Sequence, residues 1–181
     1  VSKSKKKIPD LALADFEAGM TLLFSHPAFV HLRSGSICRA PQCPHAPARG
    51  YCVVDSNGTV HVSRSKRATP EQWAWAIAHA ELHLGFGHVP ADESADRPQP
   101  DAVEIAARCA VVNRFLAAMR VGEPLPPELV ETSGADEDVL IDRWRRLGVP
   151  PAFADQELTG TAGPQPDQVL RAYTSSWRTA D

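Results

Sequence analysis

The chain lacks an apolar run long enough to cross a membrane, for which about 20 consecutive apolar residues are needed. The basic stretch Val1-Ser-Lys-Ser-Lys-Lys-Lys is not followed by the apolar core of a signal peptide. A cytoplasmic location is therefore expected, with no membrane partner. An excess of one charge is also missing. Its 19 Lys and Arg against 22 Asp and Glu leave a net charge of −3, which gives no basic footprint for nucleic acid. Four cysteines in 181 residues are too few for a disulfide scaffold, and in a reducing compartment they read as thiols or ligands. No internal repeat is visible, so stacked-repeat architectures are not expected. What is present is enough hydrophobic sequence, 43%, for one domain with a real core.

The informative stretch runs from Thr69 to His88. Thr69 suits a helix cap, Pro70 the first helical position, and Gln72 the third residue of a capping box. Trp73, Ile77 and Phe86 recur at helical spacing, and Gly85 and Gly87 close the helix. At about 100° per residue, His79 and His83 lie roughly 40° apart on one face, one turn from each other. Two imidazoles so placed can share one tetrahedral ion. His88 follows the glycines, where the chain can turn back and offer a third ligand, leaving a fourth position open for water. The cofactor this spacing implies is Zn2+. In zinc peptidases the general base is a Glu directly after the first histidine. Here that residue is Ala80, and the nearby carboxylate is Glu81, whose helical angle turns it away from the histidine face. Glu81 is the catalytic candidate on this helix, with an ordinary helix-favouring residue as the alternative.

Around this helix the chain divides into a basic arm (1–9), a domain (10–150), and a linker with a C-terminal tail or short helix (151–181). Residues 10–25 read as an amphipathic helix with Leu13, Phe16, Met20, Leu23 and Phe24 on its apolar face, stopped by His26-Pro27. Residues 28–50 are irregular and hold Cys38, Cys43 and His45, with Cys52 beyond. These four are candidates for a second, structural metal site, against the alternative of free cysteines in a loop. Tyr51–Asp55 and Thr59–Ser63 form a hairpin around Asn57-Gly58, with Val60 and Val62 inward and His61 on the polar face. Residues 89–100 read as an acidic loop in which Asp92, Glu93 or Asp96 could stand in for the missing base. Asp101 caps a helix to about residue 120, with Glu104 at the capping-box position. Glu104 and Cys109 become additional ligands if that helix packs on the first. A last helix spans 135–147, acidic at its start and basic at its end.

The run from the hairpin to Asn113 resembles the metallopeptidase domain that precedes a von Willebrand A-like domain in some bacterial proteins. The residues that carry the likeness are Pro70-Glu-Gln-Trp73, then Ala78-His79-x-x-Leu82-His83-Leu84-x-x-Gly87-His88, then Ala106-Ala107-x-x-x-Val111-Val112-Asn113. The resemblance implies metal ligation by His79, His83 and His88. The family's Glu is replaced by Ala80, an Asp common four residues before the Asn is replaced by Cys109, and the von Willebrand-like domain is missing. A second, shorter likeness is to bacterial endoribonucleases of ribosomal RNA maturation, whose three-histidine motif also lacks the adjacent Glu. The fold expected is α+β, a mainly helical zincin-like domain with a small antiparallel hairpin packed on the metal-site helix. The function expected is a zinc metallopeptidase-like hydrolase in which metal-activated water attacks a peptide or similar bond, with a peptide or protein as substrate or partner. The alternatives are an inactive pseudopeptidase acting as an interaction module and a metal-dependent endoribonuclease.

Overall fold

A computed structural model of the chain describes residues 11–30, 36–47, 50–55, 58–89, 100–124 and 133–154. In chain order the elements are α1 (Leu11–Ser25), β1 (Ile37–Cys38), β2 (Cys52–Val54), β3 (Val60–Val62), α2 (Pro70–Gly85), α3 (Ala102–Met119), α4 (Glu137–Leu147) and α5 (Pro151–Ala154). The fold is α+β. The expected basic arm and the part of the expected linker and tail beyond residue 154 lie outside the described residues, as do Asp92, Glu93 and Asp96.

The molecule is built on α2. Every residue of this helix from Trp73 to His83 is buried. Its sequence explains why: Trp73, Trp75, Ile77 and Leu82 alternate with alanines, so the helix is apolar nearly all round and needs cover on every side. α1, the sheet and α3 supply that cover. α1 approaches closely at Gly19, where a Cβ would sit 2.6 Å from both the Pro70 carbonyl oxygen and Trp73 Cβ. Phe16 and Tyr51 pack edge-on against Trp73, at 5.5 Å between ring centroids in each case. The capping box forms as the sequence expects: Thr69 Oγ1 accepts from Gln72 N–H, and Gln72 Oε1 accepts from Thr69 N–H. α3 is capped by Asp101, which accepts from Glu104 N–H at 2.9 Å. A second apolar cluster joins α3 to α4 and α5 through Ala106, Ala107, Ala110, Leu140, Trp144 and Phe153.

The sheet departs from the expected two-stranded hairpin. β2 and β3 pair antiparallel, and β1 adds to the other side of β3 in parallel, giving the order β1-β3-β2. β3 is thus the central strand, and it is buried along its whole length. His61 is therefore not on a solvated polar face, as alternation suggested, but is 5% exposed. A parallel pairing between residues more than 20 apart leaves no local mark in the sequence, so β1 and its effect on His61 are not legible there.

Candidate metal centre

α2 and α3 lie side by side, and each turns an i, i+4 pair toward the other: His79 and His83 from α2, Cys109 and Asn113 from α3. His79 Nε2 lies 3.0 Å from His83 Nε2, and Cys109 Sγ lies 3.7 Å from His83 Nε2. All three ligand atoms fall within 4.8 Å of one another, and all three residues are buried. With zinc–nitrogen and zinc–sulfur bonds of about 2.0 and about 2.3 Å, a tetrahedron has N–N and S–N edges of about 3.3 and about 3.5 Å. The His79–His83 and Cys109–His83 separations match those edges to within a few tenths of an ångström, and the third separation is within 4.8 Å.

The hydrogen bonds around the donors decide which nitrogens are bare. Trp75 Nε1–H can only donate, and it points at Asn113 Oδ1 from 3.2 Å. That fixes the amide orientation, so His79 Nδ1, 2.7 Å from the same oxygen, is the protonated nitrogen. Neutral His79 then presents a lone pair at Nε2, toward His83 and Cys109. Burial keeps His79 neutral by pushing its pKa down to about 3, partly opposed by the hydrogen bond that His79 donates to Asn113. Burial also drives the pKa of His83 well below the ordinary value, helped by the neighbouring His79. Fixing Oδ1 has a cost: Asn113 Nδ2 is buried with no acceptor among the described residues.

His88 is placed differently from its expected role. Gly87, at φ 71°, lets the chain reverse, and His88 N–H bonds His83 C=O at 2.9 Å while Gly87 N–H bonds Leu84 C=O at 3.0 Å. This glycine C-cap folds the His88 ring back, but onto the far side of His83. His88 Nδ1 lies 2.9 Å from His83 Nδ1, and His88 Nε2 lies 3.1 Å from Glu137 Oε2. Glu137 is held in turn by Arg108 Nε at 3.0 Å. A single ion cannot take both nitrogens of His83, so His79, His83 and Cys109 are the group that could hold an ion on the Nε2 side, and His88 stands behind it.

Proton counting along this chain tests the fit. If His83 Nε2 is a bare donor, its Nδ1–H donates to His88 Nδ1, and His88 Nε2–H donates to Glu137. Every imidazole is then neutral, the contacts from His83 to His88 and from His88 to Glu137 each have one proton, and the 3.0 Å contact between His79 Nε2 and His83 Nε2 has none. If His83 Nε2 carries the proton instead, it donates to His79, and His88 must donate at both nitrogens, which requires a charged imidazolium. Burial and the Arg108 charge lower the His88 pKa, partly opposed by Glu137. The all-neutral arrangement, with two Nε2 lone pairs converging beside a sulfur, is the one a metal ion requires.

The remaining candidates fall elsewhere. Glu104 is not beside the donors; its carboxylate accepts from Arg145 at 2.7 Å on the surface, and Arg145 also binds Asp101. Glu81 is buried on the side of Cys52, where its charge, after burial itself, raises that thiol's pKa. Glu81 thus faces away from the donors, as its helical angle requires. Ala80 is fully buried in the core. Cys52 Sγ donates to Ala76 C=O at 3.1 Å beneath α2 and does not join Cys38 and Cys43. Those two cysteines group instead with His61. A groove of about 500 Å³ beside Glu71, His26 and Gly122 adjoins the opening turn of α2 rather than the turns that carry His79 and His83.

The sequence puts His79 and His83 on one helix face and offers Cys109 or Glu104 as an additional ligand only if α3 packs on α2; it does not reveal the supporting groups. Trp75, His79 and His83 lie on one stripe of α2 at i, i+4 and i+8, a pattern that could have flagged Trp75 as a donor on the histidine side of the helix. Glu137 arrives from α4, about 50 residues along the chain, and nothing local announces it. Comparison with family models, with curated proteins and with solved structures finds no match to the chain, so the metal centre stands on its own geometry.

Proposed function

We propose that the chain is a zinc-binding metallopeptidase-like protein, with a zincin-like arrangement in which His79, His83 and Cys109 hold the ion and a fourth position faces water or substrate. The observation that carries this reading is the buried convergence of His79 Nε2 and His83 Nε2, 3.0 Å apart, with Cys109 Sγ 3.7 Å from His83 Nε2. An imidazole and thiolate donor set suits zinc better than magnesium or calcium, which take oxygen ligands. Zinc bound there supplies Lewis acidity toward a water or a carbonyl oxygen. The chain's own residues orient the donors: Asn113 fixes His79, and His88 with Glu137 fixes His83. The proposed activity is hydrolysis of a peptide or similar bond. A second reading, a pseudopeptidase that keeps the ion for recognition, is favoured by Ala80, which is sealed in the core where the family places its base.

One assay separates the two readings. Full-length protein loaded with zinc is offered a broad peptide library, with His83→Ala as control. Zinc-dependent cleavage that disappears in His83→Ala supports the hydrolase. Intact zinc binding without cleavage supports the pseudopeptidase. A chain that takes up no zinc contradicts both. Ala80→Glu is not a simple restoration here. It forces a carboxylate into a fully buried core position, and a loss of stability on the order of 3 kcal/mol or more is expected, measured by denaturant unfolding.

A further inference from the structure

A second cluster of ligand-type side chains lies on the opposite side of the sheet's central strand from β2. Cys38, Cys43 and His61 each bring one ligand atom within 4.8 Å of the others. Cys43 Sγ is 3.1 Å from His61 Nδ1. The topology makes this meeting obligatory: Cys38 and His61 are direct partners in the parallel β1–β3 ladder. Cys43 follows on the turn after β1, where Cys43 N–H bonds Ala40 C=O at 3.2 Å and Ala46 N–H bonds Cys43 C=O at 3.2 Å.

We propose that Cys38, Cys43 and His61 form a structural metal site for a zinc-class divalent ion, separate from the centre between α2 and α3. Three observations support a built site rather than loose thiols. First, His61 is backed by a carboxylate: its Nε2–H donates to Asp55 Oδ2 at 3.0 Å, and both residues are buried. That bond leaves Nδ1 as the bare nitrogen, which is the one facing Cys43, and a carboxylate behind a ligating histidine is the usual support of a metal-bound imidazole. Second, Asp55 is itself held in place, its Oδ1 accepting from Thr59 N–H at 2.8 Å across the hairpin turn. Third, Cys43 Sγ lies 3.1 Å from that bare Nδ1, on a turn fixed by its backbone hydrogen bonds to Ala40 and Ala46. His45 packs its ring against His61, at 5.2 Å between centroids, and is a further donor beside the cluster.

The site has an evident structural task. β1 has two residues and pairs with one strand, too little for a segment to hold its place by backbone bonds alone. An ion bound by Cys38 and Cys43 from this segment and His61 from the central strand would pin residues 36–47 over the sheet. Two thiolates and an imidazole select zinc-class ions over calcium or magnesium.

The test uses the full-length chain, purified under reducing conditions without chelator. Metal content is measured in wild type, Cys43→Ser, Asp55→Asn and His79→Ala. The wild type is expected to carry two ions per chain. Cys43→Ser is expected to carry one, and His79→Ala to carry one with Cys38 and Cys43 still shielded from alkylation until chelator is added. Asp55→Asn keeps all three ligands and guards against a folding failure in Cys43→Ser; its affinity at this site is expected to fall about 10–100-fold. A Cys43→Ser chain with the same metal content as wild type would overturn the proposal. So would Cys38 and Cys43 that alkylate equally fast with and without chelator, or that recover as a disulfide carrying no ion. Failure of the centre between α2 and α3 removes the His79-dependent ion alone and leaves this outcome readable.

Discussion

At the scale of single residues, the centre depends on which atom of each side chain is bare. Asn113 is the clearest case. Its oxygen accepts from both Trp75 and His79, so it sets the His79 tautomer without touching an ion. Asn113→Ala removes that acceptor while leaving all three donors in place. Zinc affinity is expected to fall about 10–100-fold, measured by competition with a chromophoric chelator, with the fold retained by circular dichroism. An unchanged affinity would mean that Asn113 serves packing alone. Cys52 offers a contrast between thiols. It is fully buried, donates to Ala76 C=O, and is held protonated by burial and the Glu81 charge. In the native chain it is expected to resist alkylation whether or not metal is present, unlike the partly exposed Cys38 and Cys43, which are expected to react once chelator has removed the ion.

At the scale of elements, α2 was the most legible part of the chain. Its capping box, its proline at the first position and its glycine reversal all appear where local chemistry places them. The same local chemistry accounts for Asp101 and the start of α3. Asp101 is also where a pH effect belongs. The Glu104 N–H and then Arg145 hold its carboxyl below the ordinary carboxylate range. Its contribution is therefore complete at neutral pH and is lost as pH falls through the folded value. Asp101→Ala is expected to lower stability by about 1 kcal/mol at pH 7 through loss of the cap, and by less in acid, as read from urea unfolding at the two pH values. What local patterns could not give was the pairing of elements. His88 was expected as a third ligand because the glycines turn the chain back, and they do. The helix end aims it at the far nitrogen of His83, and Cys109 from α3 takes the place beside the donors. Likewise, hairpin alternation put His61 on a wet face because it knew nothing of β1.

At the scale of the molecule, one buried helix supports two clusters of side chains that could each hold a metal ion. α2 carries two donors on its α3 side and supports the sheet that carries the Cys38, Cys43 and His61 cluster. The support for the first site reaches further, since Glu137 of α4 closes the chain that begins at His83. The apolar cluster of Leu140, Trp144 and Phe153 with α3 therefore serves to position Glu137 as well as to bury surface. Among the described residues no helix is long and apolar enough to cross a membrane. The overall α+β class and the central place of the histidine helix were readable from periodicity and caps. The buried polar network was not, because it joins four segments whose only relation is spatial.

The central claim is that His79, His83 and Cys109 bind one zinc ion. Its most direct test is the metal content per chain of full-length protein purified without chelator, wild type against His83→Ala, by elemental analysis. His83→Ala is expected to lose one zinc per chain relative to wild type while remaining folded. A wild type that carries no zinc, or a His83→Ala chain that carries as much as wild type, would contradict the account.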